Sequence, residues 1–377
     1  MSPPFRADHV GSLLRSPALR VAHEQALAGR YGAEALRELQ DRAIRDAIAL
    51  QESVGLRAIT DGELRRTSFH ADFIEKLDGA SSQGRLAVDG AAGGALEAAP
   101  AEGRPFAPRA FAVTGKLQRT RPIEVANFAF VRAHTRRTAK QTIPSPTMLL
   151  RGGRAAVSRE AYPDLHEFHA DIAAVYRKEL VELAAAGCTY VQLDDTNFAY
   201  LCDPKLRDTF RHWGDDPDAM PERFAQLIDA SIAGRPAGMA VGIHLCRGNS
   251  AGRWAAEGGY EPVADVLLNR IAVDAYFLEY DDARSGGFEP LRFFPRGSRK
   301  RVVLGLVSTK VPALESADAL KRRIDEAARY VPLENLCLSP QCGFASTYRG
   351  NPVTAEDQRR KLALVVEVAR DVWGTES

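Results

Sequence analysis

A histidine and a cysteine stand two residues apart in the segment VGIHLCRGN, at His244 and Cys246. Side chains alternate along an extended chain, so positions two apart face the same side. The His244 imidazole and the Cys246 thiol can therefore aim at one point if the extended conformation runs on past the strand end. A carboxylate, Glu279, ends the next apolar run (AYFLEY), and Cys342 follows the last one (LSPQCGF). One imidazole, two thiolates and one carboxylate suit a tetrahedral site for Zn2+. Taken singly, each reads better as a buried histidine or a packed cysteine. Their joint placement at strand ends is what points to a metal.

The ligand set limits the chemistry. Zinc held by three neutral histidines keeps its positive charge and ionises water. Two thiolates and a carboxylate outweigh the ion, leaving a net formal charge of about −1. Such a site is a poor acid for water. It still holds a substrate thiol deprotonated near neutral pH, although a free thiol has a pKa of about 8.5. The reaction this favours is thiol alkylation.

The elements that position these residues alternate almost from end to end. Short β-branched runs are expected as strands near His9–Leu13, Arg57–Thr60, Ala139–Ile143, Tyr190–Leu193, Met239–Ile243, Asp274–Leu278, Val302–Leu306 and Asn335–Leu338. Helical patterns over Leu165–Ala186, Pro221–Ala233, Ala317–Tyr330 and Ala355–Val372 lie between or after them. Eight strands with helices following predict an α/β fold, a single (β/α)8 TIM barrel. In such a barrel catalytic groups sit at the C-terminal strand ends. Ser12, Asp61, Glu63, Pro144, Ser145, Asp194, Asp195, His244, Cys246, Glu279, Ser308 and Cys342 all fall at or just beyond those ends. The alternation breaks over 79–123, Gly- and Ala-rich and then β-like at Arg109–Leu117. This reads as a β-rich insertion after the second strand, a hairpin with a mobile tip that is either an active-site lid or a surface excursion.

The 377 residues fit one catalytic barrel, 1–377, with that insertion inside it. A net charge of +1 gives no reason to expect nucleic acid or an anionic membrane as a partner. No signal peptide or membrane span is apparent in the sequence. Five scattered cysteines argue against a disulfide framework and for a reducing compartment, the cytoplasm.

The segments HVGSLLR, TDGELRRTSFHADF, VQLDDTNFAYL, GIHLCRGN, YFLEYDD and LSPQCGFAS together resemble the cobalamin-independent methionine synthase family. The likeness is to its short members, which correspond to the C-terminal catalytic barrel alone. It implies a zinc-dependent S-methyltransferase that moves a methyl group to homocysteine to give methionine, with His244, Cys246, Glu279 and Cys342 as the metal ligands. It also implies that Ser12 helps hold the substrate carboxylate, and that Glu63 and Asp194 lie near its ammonium group. Ser308 stands on the substrate side in GLVSTK, where full-length members carry an Asp-x-His-Ser segment with a histidine thought to assist as an acid; this chain has none. Nor does it have room for the N-terminal barrel that contributes to binding a polyglutamyl folate. The methyl donor is a folate, a corrinoid protein or a small methylated compound.

Other readings stand beside these. The thiol or the electrophile can differ, an epoxide for example, with Arg65, Arg66 and Lys310 available for a sulfonate thiol. The barrel can also hold zinc without catalysis. Ser12 can be a cap, Glu63 can pair with Arg65 or Arg66, and Asp194 or Asp195 can hold a loop. His70 and His9 read equally as site or structural residues. The pair Gly152–Gly153 beside Arg151 and Arg154 reads as a turn. Phe198, Tyr200 and Trp254 are candidate aromatic walls, and Cys188, Cys202 and Cys337 are packed thiols.

Overall fold

The computed structural model describes residues 3–81 and 111–374. Its strands are β1 Ala58–Ile59, β2 Asp78–Ser81, β3 Ala112–Gln118, β4 Thr138–Ala139, β5 Gln141–Pro144, β6 Tyr190–Asp195, β7 Ala240–Leu245, β8 Ala275–Glu279, β9 Arg301–Val307 and β10 Leu336–Pro340. β5 to β10 form one parallel sheet in consecutive order. β4 pairs in parallel with β1 and is separated from β5 by Lys140 alone, so the two short strands are one path shared between neighbours. At the far edge Ala7 bridges Leu338 of β10 in parallel. The N-terminal segment, β1, β4–β5 and β6 to β10 thus occupy the eight positions of a (β/α)8 barrel.

The first of those positions differs from the expected strand His9–Leu13. Regular pairing there is limited to Ala7, because side chains of Thr60, Lys140 and Gln192 take the carbonyls that a ladder would use. Lys140 Nζ donates to His9 O at 2.6 Å, Gln192 Nε2 to Val10 O at 2.6 Å, and Thr60 Oγ1 to Gly11 O at 2.7 Å. His9 Nε2 lies 3.1 Å from Ala58 O, closing the seam toward β1 by a side chain. His9 is therefore a structural residue, and burial followed by the nearby Lys140 charge pushes its pKa down to about 4.

The other strands lie where the apolar runs place them. Every residue of β5, β6, β8 and β10 is buried, as strands covered on both faces require. Helices cover the outside. Leu165–Ala185 starts at Asp164, which accepts from His166 N, and turns Phe168, Ile172, Tyr176, Leu180 and Leu183 inward. Ala355–Trp373 starts in a reciprocal capping box between Thr354 and Asp357. β2 and β3 form an antiparallel pair, Asp78 opposite Gln118 and Ala80 opposite Val113. The Gly- and Ala-rich stretch between them, 82–110, lies outside the described residues.

The barrel interior follows from alternation. Phe5, Ala58, Tyr190, Ala275, Phe277, Val303 and Cys337 pack together at its floor. Lys140 enters the same interior and donates to Asp8 Oδ1 at 2.9 Å, while Tyr190 donates to Asp8 Oδ2 at 2.9 Å. A buried charge pair is tolerated when its remaining donors and acceptors are met, as here. Two and four residues further up these strands stand Gln192 and Asp194, and Phe277 and Glu279. The floor and the site are one set of inward columns.

Candidate metal centre

β7 carries its inward column Ala240, Gly242, His244 to the top of the barrel. The extended pairing then runs one residue beyond the strand, since Cys246 N donates to Asp195 O at 2.7 Å. This brings Cys246 round to the side of His244. On the neighbouring strand β8, Glu279 ends the inward column Ala275, Phe277, and Cys342 comes in from the loop after β10. One ligand atom from each of His244, Cys246, Glu279 and Cys342 lies within 4.8 Å of the others, and all four residues are buried.

The donor set fits a metal. Both ring nitrogens of His244 are buried without a hydrogen-bond partner, as is Glu279 Oε2. Buried polar atoms without hydrogen-bond partners are costly, and a metal ion among these four residues would engage them. The sulfurs of Cys246 and Cys342 are 3.4 Å apart, and both cysteines are free. The Cys246 hydrogen bond, then His244, hold the Cys342 thiol well below its ordinary pKa, while that same contact and burial push Cys246 up. Burial alone would lower the pKa of His244, but Cys342, Asp194 and Glu279 together raise it.

The surroundings orient these ligands. Arg247 N donates to Glu279 Oε1 at 3.0 Å, and Tyr260 OH accepts from Glu279 N at 2.9 Å. Lys310 Nζ and Arg284 Nη2 each stand 3.7 Å from Glu279 Oε2. They also face Asp281, at 3.8 and 3.5 Å. Lys310 was legible in the sequence as a cation available to a sulfonate thiol, and Arg284 was not singled out. Their place behind Glu279 depends on how the loops after β8 and β9 fold back. Lys310 is thereby engaged with carboxylates, and Arg65 with Asp41 and Asn127.

Ser12 and Cys342 are coupled through a glycine. A Cβ built on Gly343 would lie 1.9 Å from Ser12 Oγ, far inside contact distance. Gly343→Ala is expected to displace Ser12 or the Cys342 loop and to lower metal affinity roughly 10–100-fold, the usual cost of disturbing ligand support. Ser12→Gly in the same chain should restore it. Metal titration of the single and double variants checks this, and equal affinity in Gly343→Ala and the parent would reject the coupling.

Glu63 and Asp194 form a second acidic group. Glu63 is a non-glycine residue at φ 57, a strained conformation that packing must enforce. Its Oε1 accepts from Thr142 Oγ1 at 2.8 Å and faces Arg66 Nη1 at 3.5 Å, while Oε2 is buried without a hydrogen-bond partner. Burial pushes the Glu63 pKa up to about 7, against Arg66 and with Asp194, and burial likewise pushes Asp194 up to about 6. Asp194 Oδ1 accepts from Gln192 Nε2 at 2.6 Å. The loop-holding role falls to Asp195, which accepts from Phe198 N at 2.9 Å and from the Thr147 hydroxyl. Arg66 is one of the two partners that the sequence offers for Glu63, whereas Thr142 and Gln192 were not legible as supports, because each reaches its carboxylate from a barrel strand.

The other candidate residues have contacts of their own. Ser308 N donates to Glu315 Oε1 at 2.8 Å, and its hydroxyl accepts from Lys310 N at 3.4 Å. His70 stands 3.0 Å from Ser68 Oγ and packs between Phe69 and Phe111. Gly152 and Gly153 form a left-handed turn at φ 98 and 60. Phe198 packs edge-on against Phe224, Tyr200 beneath Arg151, and Trp254 beneath Arg284. Cys188, Cys202 and Cys337 are buried, and burial raises their pKa to about 12, 11 and 11.

The family profile described as "Cobalamin-independent synthase, Catalytic domain" matches residues 5–371. The chain belongs to that family. It is 43% identical to the uncharacterized Bacillus subtilis protein YxjH, over 98% of this chain and 95% of that one. A Listeria monocytogenes structure, described as a candidate vitamin-B12 independent methionine synthase, superposes with a TM-score of 0.79 at 36% identity over 100% of both chains. The methionine synthase of Pyrococcus abyssi is 27% identical over 80% of this chain and 76% of that one.

Proposed function

We propose that this member of the family is a zinc-dependent methyltransferase that methylates the thiol of homocysteine to give methionine. The observation that carries the reading is the buried set His244, Cys246, Glu279 and Cys342, with both imidazole nitrogens unpartnered and two sulfurs side by side. These four residues would hold the ion. When bound, zinc supplies a position at which a thiol is kept deprotonated near neutral pH. Glu63 and Asp194 meet the substrate ammonium, and Ser12 and Ser308 lie on the substrate side. A buried carboxylate held partly protonated gains most from a cation, which makes this pair selective for an amino-acid thiol over a plain one. In the overall change the S–H bond and the bond from methyl to donor break and an S–CH3 bond forms; the donor leaves with the electron pair of its bond to methyl, and the thiol proton goes to that donor or to solvent.

Homocysteine and a methyl donor are thus the partners. The donor is a folate, a corrinoid protein or a small methylated compound. The unpaired cysteines suit the reducing cytoplasm, and among the described residues no helix is long and apolar enough to cross a membrane.

The test is metal analysis of protein purified without added metal, then cobalt substitution and visible spectra during titration with homocysteine. One metal per chain and a spectral change on adding thiol are expected. Bound metal that ignores homocysteine and other small thiols would make the site structural, and no metal at all would remove the basis of the proposal.

A further inference from the structure

Arg15 is buried, and its guanidinium reaches backbone carbonyls in three strand-end loops. Nη1 lies 3.4 Å from Leu13 O, 3.1 Å from Ala345 O and 3.5 Å from Thr347 O, and Nη2 donates to Glu63 O at 2.5 Å and Arg66 O at 2.9 Å. The partners of its two terminal nitrogens are all backbone carbonyls, and its Nε is buried without a hydrogen-bond partner. Taking a cation out of water is costly, and burial lowers the pKa of Arg15 to about 10 even though Glu63 and Asp61 oppose the shift. That cost is offset here by carbonyl contacts in both the Glu63 loop and the Cys342 loop.

One of the two is the loop of Glu63, whose left-handed backbone requires enforcement from its surroundings. The other is the loop of Cys342, three residues before Ala345. The loops also meet along their rim, where Phe69 N donates to Ser346 O and Tyr348 N to Thr67 O, both at 3.0 Å. Arg15 joins them at a second place, through Ala345 O and the Glu63 carbonyl itself.

We propose that Arg15 is a positioning residue that sets the distance between the carboxylate of Glu63 and the sulfur site at Cys342, and so selects a thiol carrying an amino group. This inference rests on the reading of the site as one for an amino-acid thiol. A planar fork serves several carbonyls at once, whereas a lysine ammonium is a point charge with three donors on a flexible stem. Arg15→Lys therefore keeps the charge and loses the clamp.

The experiment uses cobalt-loaded full-length protein, titrated with homocysteine and with 2-mercaptoethanol, which lacks the amino group. In Arg15→Lys the metal content and the thiol-free spectrum should match the parent. Its Kd for homocysteine should rise roughly ten- to a hundredfold, the scale expected for a misplaced binding group, and its Kd for 2-mercaptoethanol should not change. Equal weakening for both thiols, or none for either, overturns the assignment. So does loss of metal in both Arg15→Lys and Arg15→Gln, which would make Arg15 a folding residue. A parent protein that binds metal and responds to neither thiol refutes the proposed function instead, and this inference falls with it.

Discussion

Serine at Cys246 or at Cys342 is expected to strip the metal from the protein and the activity with it. A serine hydroxyl does not ionise at neutral pH as a thiol beside a cation does, so each substitution removes one negative donor from a set of four. The loss in metal affinity should exceed the roughly 10–100-fold that changes behind the ligands typically cost. Cys188→Ser is the matched control. Its sulfur is buried 3.4 Å from Tyr190 O, a contact a hydroxyl makes at least as well. Metal content after dialysis against a weak chelator, with a thermal melt to confirm folding, decides the matter. Stoichiometric metal in folded Cys246→Ser protein would dismiss it as a ligand.

The same centre explains what could be read in advance. The His-x-Cys spacing and the carboxylate at the same phase of the next strand follow from period-two alternation, which is a local property of the chain. So do the apolar runs of β6 to β10, because strands covered on both faces are apolar except where they enter the site. What was not legible depends on distant contacts. The segment after His9 has the composition of a strand, yet Lys140, Gln192 and Thr60 take its carbonyls. Gly343 next to Cys342 looks like an ordinary turn residue until Ser12 is seen to occupy the place of its Cβ. Arg15 looks like a surface cation after an apolar turn, and only the folded loops convert it into a clamp.

Glu63→Gln should make the protein more stable and less active at the same pH. In the free protein burial pushes the Glu63 pKa up to about 7, above its ordinary value of 4.5. A carboxyl shifted upward contributes stability that is fully present below the ordinary pKa and is lost as pH rises through the folded value. The parent chain therefore carries a buried, poorly solvated charge at about pH 8 that glutamine does not. Relative to the parent, Glu63→Gln should gain on the order of 1–3 kcal/mol between about pH 4 and pH 8, after allowing for the weakened contact with Arg66. Thermal melts across that range measure it. Binding has the opposite sign, because the substrate ammonium needs ionised carboxylates. Homocysteine affinity in the parent should climb through the region set by Asp194 at about 6 and Glu63 at about 7, then level off. In Glu63→Gln the upper step should vanish and kcat/KM should fall roughly 30- to 1000-fold at about pH 8, the scale of truncating one partner of a buried charge pair. A thiol without an amino group should bind both proteins alike. A variant that loses stability at high pH, or loses both thiols equally, would make Glu63 a structural partner of Arg66. The expected pattern would mean that the fold bears an unfavourable buried charge because the substrate's cation neutralises it.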